Sequence, residues 1–307
     1  MRVLVTGGNG MLGSHLVDEF NFLNIDYLAP ARSEVDLKDY FQLNNYININ
    51  KPTHVIHCAA KVGGILDNIN KPTQYILENS LQDSNLFYSC VENKIENFLY
   101  MSSSCVYPEN APRPFLEGSL FTGKPEETNL SYAQAKLTGM QISNSISNQY
   151  GWNYKSLVLS NLYGPRDNFN PESSHLLASI IRKIHIAKKI GFEEIEILGT
   201  GNPRREFTYV RDVAKWITST LTKFSELPQS INLGAGYDYS IKEYYQIAAE
   251  TLGFKGKFYF NEDVPDGIGS KLMDSSVAKK YFGWEPNTTL SDGILTTYKN
   301  AVINNEI

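Results

Sequence analysis

Three side chains, Ser103, Tyr132 and Lys136, are suited to protonating a carbonyl oxygen. The run Tyr132-Ala-Gln-Ala-Lys136 places a phenol and an ammonium on one face of a predicted helix. A free tyrosine has a pKa of about 10, and a nearby cation favours its phenolate, so we predict that Lys136 lowers the pKa of Tyr132. Ser103 ends an apolar run, where its hydroxyl would orient a substrate carbonyl. A surface helix pair has the same spacing, but Ser103 favours the catalytic interpretation.

A glycine-rich turn near the start of the chain predicts a dinucleotide site. Val3-Leu4-Val5 predicts a buried strand, and Gly7, Gly10 and Gly13 follow it with the spacing of a dinucleotide-binding fingerprint. These glycines permit a tight turn, a close approach of backbone to pyrophosphate, and close packing of helix on strand. An ordinary strand-to-helix turn is the alternative. Together with the proton donor, the turn indicates hydride chemistry with a nicotinamide cofactor.

The elements that must position these residues predict an α/β fold. Apolar runs with little alternation at 26–30, 53–60, 97–102 and 155–160 alternate with helical stretches, which predicts a Rossmann-like, doubly wound parallel sheet. An amphipathic stretch over 175–189 predicts a smaller lobe, and the sheet is expected to resume near 205–210 and 231–234. The predicted cofactor-binding domain is 1–163 with 206–234, and the predicted substrate-binding lobe is 164–205 with 235–307. A site is expected between them, at the carboxyl ends of the strands.

Composition restricts the class of partner and the compartment. The chain has 307 residues, a net charge of -5 and a pI near 5.6, which argues against nucleic acid as a main partner. Its three cysteines give neither an even disulfide set nor metal-ligand spacing, and they suit a reducing compartment. The sequence predicts no membrane span, and we expect a cytoplasmic protein without a metal.

The residues after the second predicted strand indicate the cofactor's phosphorylation state. NAD-preferring folds usually place an acidic residue there to bind the ribose hydroxyls, whereas this chain has Arg32. A guanidinium could instead pair with a 2′-phosphate, which predicts NADP(H), although a solvated arginine is the alternative. Asp36 and Leu37 are expected to flank the adenine.

The ordered set of motifs resembles the extended short-chain dehydrogenases and, within them, the GDP-L-fucose synthase family. The resemblance spans Gly7 to about Asp274. It is carried by Ala59-Ala-Lys-Val-Gly-Gly-Ile65, Ser103-Ser-Cys-Val-Tyr-Pro108, Asn161-Leu-Tyr-Gly-Pro165, Asp167-Asn-Phe169, Ser174-His175 and Arg205-Glu-Phe207. It implies an NADPH-dependent epimerase and reductase of a GDP-linked keto sugar, and a homodimer.

The resemblance also implies roles for residues that carry little signal alone. Cys105 and His175 would invert C3 and C5 of the sugar, although from the residues alone Cys105 would be a small buried hydrophobe and His175 a loop residue. The implied cofactor contacts are Gly7, Gly10, Met11, Leu12, Gly13, Arg32, Asp36, Leu37, Ala59, Ala60, Ser102, Tyr132, Lys136, Leu159, Asn161, Leu162 and His175. The implied substrate contacts are Ser103, Ser104, Asn161, Lys183, Leu198, Arg205, Asp266 and Lys271.

Two departures from the family pattern leave other functions open. Lys183 stands where bacterial relatives often carry arginine, and Leu198 stands where they carry tryptophan. A lysine lacks a bidentate fork and a leucine lacks a stacking face, so the substrate could differ. The nearest rival is a C4-reductase without epimerisation, acting on a GDP-4-keto-heptose for a surface polysaccharide. A sugar 4-epimerase with tightly bound NAD and a non-catalytic NADP(H) sensor are the more distant alternatives.

Overall fold

A parallel six-stranded sheet forms the centre of the molecule in the computed structural model, which describes residues 1–263 and 266–307 and leaves the side chain of Leu66 undescribed. Its strands are β1 (Arg2–Thr6), β2 (Asp26–Leu28), β3 (His54–His57), β4 (Asn97–Ser103), β5 (Asn153–Leu159) and β10 (Ser230–Leu233). The predicted doubly wound parallel sheet is confirmed, with the strand order β10-β5-β4-β3-β1-β2 and every neighbouring pair parallel.

Helices cover both faces of this sheet. One face carries α1 (Met11–Leu23), α7 (Val210–Thr220) and α9 (Ser276–Phe282), and the other carries α2 (Tyr40–Asn50), α4 (Pro72–Glu92) and α5 (Leu130–Tyr150). The short α3 (Ile65–Asn70) precedes α4. Strand β1 shows why the apolar runs have little polar–apolar alternation, because Val3 and Val5 pack in one cluster and Leu4 packs in the other.

A third apolar cluster forms the smaller lobe. It contains α6 (Leu176–Ile190), α8 (Ile241–Leu252) and α10 (Leu290–Ile303), packed around short strands. The strand pairs are β6 (Asn161–Tyr163) with β9 (Phe207–Tyr209), β7 (Glu194–Leu198) with β12 (Lys257–Asn261), and β8 (Arg204–Arg205) with β11 (Tyr239–Ser240). The predicted amphipathic helix over 175–189 is confirmed as α6.

The prediction that residues 205–210 rejoin the main sheet is wrong. Phe207–Tyr209 pairs with Asn161–Tyr163 in a separate two-stranded sheet, and Arg205 pairs with Tyr239 in another. Only the second predicted return, at Ser230–Leu233, enters the six-stranded sheet, where it pairs with β5 at the edge.

The predicted division into two domains stays a prediction, and the packing adds one detail to it. Within the segment 235–307, Met273 packs in the cluster around α4 and α5, and Ala278 and Trp284 pack in the cluster around α1 and α7. This part of the segment therefore contacts the sheet rather than the lobe. Among the described helices, none has both the length and the apolar character needed to cross a membrane.

Candidate active site

The glycine turn between β1 and α1 has the geometry that the fingerprint predicts. Gly7 has a φ of 70°, a conformation that L-residues with side chains rarely adopt. A side-chain carbon at Gly13 would lie 2.2 Å from the Gly7 carbonyl oxygen, and one at Gly7 would lie 2.7 Å from the Ala59 nitrogen. Helix α1 begins after Gly10 without a side-chain cap, so its first N–H groups point towards the turn, with Met11 and Leu12 in the first helical turn. This arrangement fits a diphosphate.

The segment after β2 lies beside this turn. A side-chain carbon at Gly8 would lie 2.8 Å from the Ala29 side chain, so the two loops are in contact. The Arg32 side chain is exposed, and its guanidinium lies 3.9 Å from the Asp36 carboxylate. Leu37 is partly buried, and its carbonyl accepts a hydrogen bond from Asn85. The structure thus brings an exposed guanidinium to the place where the sequence predicts a 2′-phosphate.

Ser103 and Tyr132 meet at the carboxyl end of β4. Ser103 is the last residue of that strand, and its hydroxyl lies near enough to the Tyr132 phenol to favour the phenolate. Tyr75 packs edge-on against the Tyr132 ring at 6.3 Å. Burial is the largest influence, however, and it raises the pKa of Tyr132 well above its usual value. The predicted lowering by Lys136 is not what the structure shows, because the phenol is held protonated.

Lys136 lies one helical turn further along α5, as the spacing predicts, and it is almost fully buried at 2% exposure. Its ammonium sits 4.6 Å above the Tyr100 ring. Burial lowers the pKa of Lys136, and the Asp83 and Cys58 side chains oppose that change. Among the described residues, no carboxylate oxygen lies within 4.0 Å of this ammonium, which leaves its hydrogen-bond donors available for a cofactor ribose.

A charged cluster surrounds Cys105 just after β4. The Lys271 ammonium lies 3.9 Å from the Cys105 sulfur and 2.6 Å from the Glu126 carboxylate. Burial would raise the pKa of Glu126, but the Lys271 charge and hydrogen bond lower it below its usual value. The predicted catalytic residue Cys105 and the predicted substrate contact Lys271, 166 positions apart in sequence, are therefore brought together, with Ser104 buried beside them.

His175 and the predicted lobe residues come from several elements. His175 precedes α6, and burial lowers its pKa, so its imidazole is neutral near neutral pH. Arg205 donates to the Ile268 carbonyl, and Asp266 accepts from the Thr200 backbone N–H. The Lys183 ammonium donates to the Glu196 carbonyl at 2.9 Å, and Leu198 ends β7 with 43% of its surface exposed.

The remaining predicted contacts lie at or just beyond the ends of β3, β4 and β5. Two of these side chains have partners within the protein, since Ser102 donates to the Met140 sulfur and Asn161 donates to the Glu206 carbonyl. Leu162 packs partly against the cluster around α1. The others are Ala59 and Ala60 after β3, and Leu159 at the end of β5. Which of these residues contact a ligand stays a prediction.

Sequence reasoning missed a buried polar group below Lys136. Asp83 of α4 is 1% exposed, and its carboxylate accepts hydrogen bonds from His57 and Tyr100. It also missed Glu126, the partner of Lys271. One signal for Asp83 was present in the sequence, because it lies four residues after Asn79 and four before Phe87, on the buried face of α4.

The fold and the site together define a Rossmann-fold enzyme of nicotinamide-dependent chemistry. The features that define this class are the parallel sheet, the glycine turn after its first strand, and the residues Ser103, Tyr132 and Lys136 near its carboxyl edge. The comparisons with known proteins agree with this class. Residues 3–234 match the NAD dependent epimerase/dehydratase family. The chain belongs to that family.

Similar proteins are known at the level of the whole chain. The chain is 37% identical to GDP-L-colitose synthase of Yersinia pseudotuberculosis, covering 97% of this chain and 96% of that protein. It is also 37% identical to GDP-L-fucose synthase of Azorhizobium caulinodans, covering 100% of this chain and 98% of that protein. These relatives span the smaller lobe as well as the sheet.

Solved structures give the same architecture. A GDP-6-OMe-4-keto-L-xylo-heptose reductase from C. jejuni superposes with a TM-score of 0.92 at 29% identity, covering 99% of this chain and 98% of that chain. A GDP-mannoheptose C4 reductase from Campylobacter jejuni with NADP bound superposes with a TM-score of 0.87 at 28% identity, covering 97% of each chain.

Proposed function

We propose that this protein catalyses the NADPH-dependent reduction at C4 of a GDP-linked 4-keto sugar, after inversion of C3 and C5, as in GDP-L-fucose synthesis. The observation that carries the proposal is the approach of Ser103 to Tyr132 at the end of β4, with Lys136 one turn further along α5 and with Cys105 in contact with Lys271. The names of the relatives, which include a GDP-L-fucose synthase and a GDP-L-colitose synthase, support it.

The residues at the strand edge fit an NADP(H) molecule. The turn from Gly7 to Gly13 and the start of α1 would hold the diphosphate, Arg32 would pair with the 2′-phosphate, and Lys136 would hold the ribose. When bound, the reduced cofactor supplies a hydride to the C4 carbonyl carbon. Ser103 would donate a hydrogen bond to the carbonyl oxygen, and Tyr132 would give that oxygen its proton.

The two inversions would precede reduction. The 4-keto group acidifies the C–H bonds at C3 and C5, so a base can remove the proton and an acid on the opposite face can return one. Cys105 and His175 would fill these roles. The neutral imidazole of His175 can accept or, once charged, donate a proton, and the Lys271 ammonium lies 3.9 Å from the Cys105 sulfur.

Proton exchange in deuterated water tests the proposal. The protein is incubated with GDP-4-keto-6-deoxymannose and NADPH, and the product is examined for deuterium at C3 and C5. We expect NADPH oxidation with deuterium at both carbons, and Cys105→Ser should lose the deuterium while keeping some reduction of a pre-epimerised substrate. NADPH oxidation without incorporation of deuterium would rule out the epimerase activity. The absence of any NADPH oxidation would rule out GDP-4-keto-6-deoxymannose as the substrate.

A C4-reductase acting on a GDP-4-keto-heptose, for a surface polysaccharide, is the second candidate. The C. jejuni heptose reductase, with its TM-score of 0.92, favours it, and so does Leu198, which is 43% exposed and offers no aromatic stacking face. Running the same assay with a GDP-4-keto-heptose distinguishes the two. Faster turnover of the heptose without deuterium incorporation would favour reduction alone.

Two further proposals concern the setting of the enzyme. We propose a homodimer formed through α4 and α5, because Leu77, Leu81 and Tyr88 on α4 are 62%, 48% and 59% exposed. Sedimentation should give twice the mass of one chain, and Leu81→Glu should shift the protein towards a single chain.

The three free cysteines, Cys58, Cys90 and Cys105, support the proposed cytoplasmic location.

A further inference from the structure

A chain of buried polar side chains runs beneath the proposed site, from β1 to α4. The His57 Nε2 lies 2.8 Å from one Asp83 carboxylate oxygen, and the Tyr100 hydroxyl donates to the other. The Thr6 hydroxyl lies 2.6 Å from His57 Nδ1. All four residues are at most 2% exposed. Since Thr6 directly precedes Gly7, this series of contacts connects the glycine turn to Asp83 on the buried face of α4.

The imidazole in this chain is neutral. Burial lowers the pKa of His57, although the hydrogen bond and charge of Asp83 oppose that change. Because the carboxylate accepts, Nε2 carries the proton, and Nδ1 accepts a hydrogen bond from the Thr6 hydroxyl. His57 therefore orients Asp83 without neutralising it.

Asp83 nevertheless remains ionised. Burial would raise the pKa of Asp83, but the Lys136 charge and the hydrogen bonds from His57 and Tyr100 lower it below its usual value. A buried anion of this kind requires a compensating cation. Lys136 provides one across the Tyr100 ring, because its ammonium lies 4.6 Å above the ring whose hydroxyl binds Asp83.

Among the residues that the structure describes, five titratable side chains interact with Lys136 or with its immediate contacts, and only one of the five is an anion. His57 on β3 is neutral, and burial raises the pKa of Cys58 to about 12. Burial also raises the pKa of Tyr100 on β4 and of Tyr132 on α5 well above the usual value. The fifth group is Asp83 on α4, so it carries the one negative charge among them.

We propose that Asp83 is a positioning residue for the reaction: held by His57 and Tyr100, it is the counter-charge that keeps Lys136 an ammonium in its buried position. The role of that ammonium in binding the cofactor ribose rests on the proposed function. The charge coupling between Asp83 and Lys136 does not, so the two can be tested separately.

A double-mutant cycle on unfolding tests the coupling without a cofactor. Urea unfolding of the full chain is measured at about pH 6 and about pH 9 for Asp83→Asn, Lys136→Met and the double variant. Asp83→Asn leaves a buried ammonium, so we expect its folding equilibrium constant to fall about a hundred-fold or more at the lower pH. The loss should shrink towards pH 9, since the folded protein then gives up the lysine proton more readily than the unfolded chain.

Lys136→Met should show the opposite pH dependence. It leaves Asp83 as an unpaired buried carboxylate, so its loss should grow as the pH rises. The double variant removes both charges. It should be more stable than Asp83→Asn at the lower pH and more stable than Lys136→Met at the higher pH. If Asp83→Asn fails to fold, recovery of folding in the double variant is the expected result. A double variant as unstable as the sum of the single losses would overturn the coupling.

Asp212→Asn is the matched control. Asp212 is also buried, but its carboxylate accepts from the backbone N–H groups of Asn287 and Thr288 rather than facing a lysine. We expect a loss of stability that is the same at both pH values. If Asp83→Asn also lost the same amount of stability at both pH values, Asp83 would have only a structural role and the proposal would be overturned.

NADPH affinity tests the link to the site. In Asp83→Asn, raising the pH should weaken NADPH binding by about ten-fold or more, because Lys136 loses its charge, although the same change makes the variant more stable. The wild-type affinity should change much less over this range. If the wild-type protein does not bind NADPH, the proposed function fails while the unfolding cycle still decides the coupling.

Discussion

The protonated state of Tyr132 bears on what this side chain can do. Burial keeps the pKa of the phenol high, and the Ser103 hydroxyl only partly opposes this. A buried neutral phenol is poorly suited to act as a base but well suited to give a proton to an alkoxide as it forms. At the scale of single residues, this protonation state suits the proposed reduction of a carbonyl, whereas oxidation of the alcohol would first require the phenol to ionise.

Tyr132→Phe is the direct test of this role. We expect turnover to fall roughly a hundred- to ten-thousand-fold, the usual contribution of a general acid, because the ring remains and only the proton-donating hydroxyl is lost. NADPH affinity and the urea midpoint should stay close to those of the wild type. Tyr281→Phe, at a tyrosine that is 63% exposed on α9, is the matched control and should leave turnover unchanged. Full activity in Tyr132→Phe would assign the proton to another group.

The strand, turn and helix at the start of the chain act as one element, because the packing of α1 on β1 depends on the absence of a side chain at one position. A carbon added at Gly13 would lie 2.2 Å from the Gly7 carbonyl oxygen and 2.9 Å from the Gly8 Cα. Both atoms are backbone, so the contact cannot be relieved by a rotamer change. The turn that is proposed to hold the diphosphate would have to move instead.

Gly13→Ala should therefore weaken both cofactor binding and folding. We expect NADPH affinity to fall at least about ten-fold and the free energy of unfolding to fall by about 1 to 3 kcal/mol, as for other overpacked sites. Cofactor fluorescence and urea unfolding measure these. Gly118→Ala, at a glycine with no atom within 4 Å of the added carbon, is the control and should change neither. Wild-type affinity in Gly13→Ala would show that the turn tolerates the shift.

Apolar runs and helical spacing, which are read from neighbouring residues, predicted the elements that form from neighbouring residues. The β1 strand, the glycine turn, α6 and the parallel order follow from apolar runs and helical spacing, and the structure confirms them. The sheet to which residues 205–210 belong could not be predicted in this way. The partner of a short strand such as Phe207–Tyr209 is determined by tertiary packing, and here it is a strand that is distant in sequence. Asp83 was missed for a similar reason. Its partners His57 and Tyr100 lie 26 and 17 positions away, and a carboxylate in a helix looks like a solvated one until its neighbours are known.

At the scale of the whole molecule, Glu206 connects the segments that pass between the sheet and the lobe. It is fully buried, and its two carboxylate oxygens accept from the backbone N–H groups of Gly236 at 2.7 Å and Met273 at 3.0 Å. Gly234 leaves the necessary space, because an added carbon there would lie 2.3 Å from the carboxylate. Burial raises the pKa of Glu206 to about 7, although the backbone hydrogen bonds oppose this.

This raised pKa makes the stability of the molecule depend on pH. Between about pH 4.5 and about pH 7 the folded protein holds a proton on Glu206 that the unfolded chain has released, so raising the pH weakens folding. Asp167, whose pKa burial also raises to about 7, contributes in the same direction. We expect each group to account for at most about 3 kcal/mol of the loss between about pH 5 and about pH 8.

Glu206→Gln isolates this contribution, because glutamine cannot ionise. The variant should lose less stability than the wild type as the pH rises from about 5 to about 8, and Glu206→Gln with Asp167→Asn should lose less again. Urea unfolding across this range measures the slopes. Glu250→Gln, at an exposed position on α8, is the control and should keep the wild-type slope. If Glu206→Gln also keeps that slope, then Glu206 is already ionised in the folded protein and its hydrogen bonds outweigh its burial.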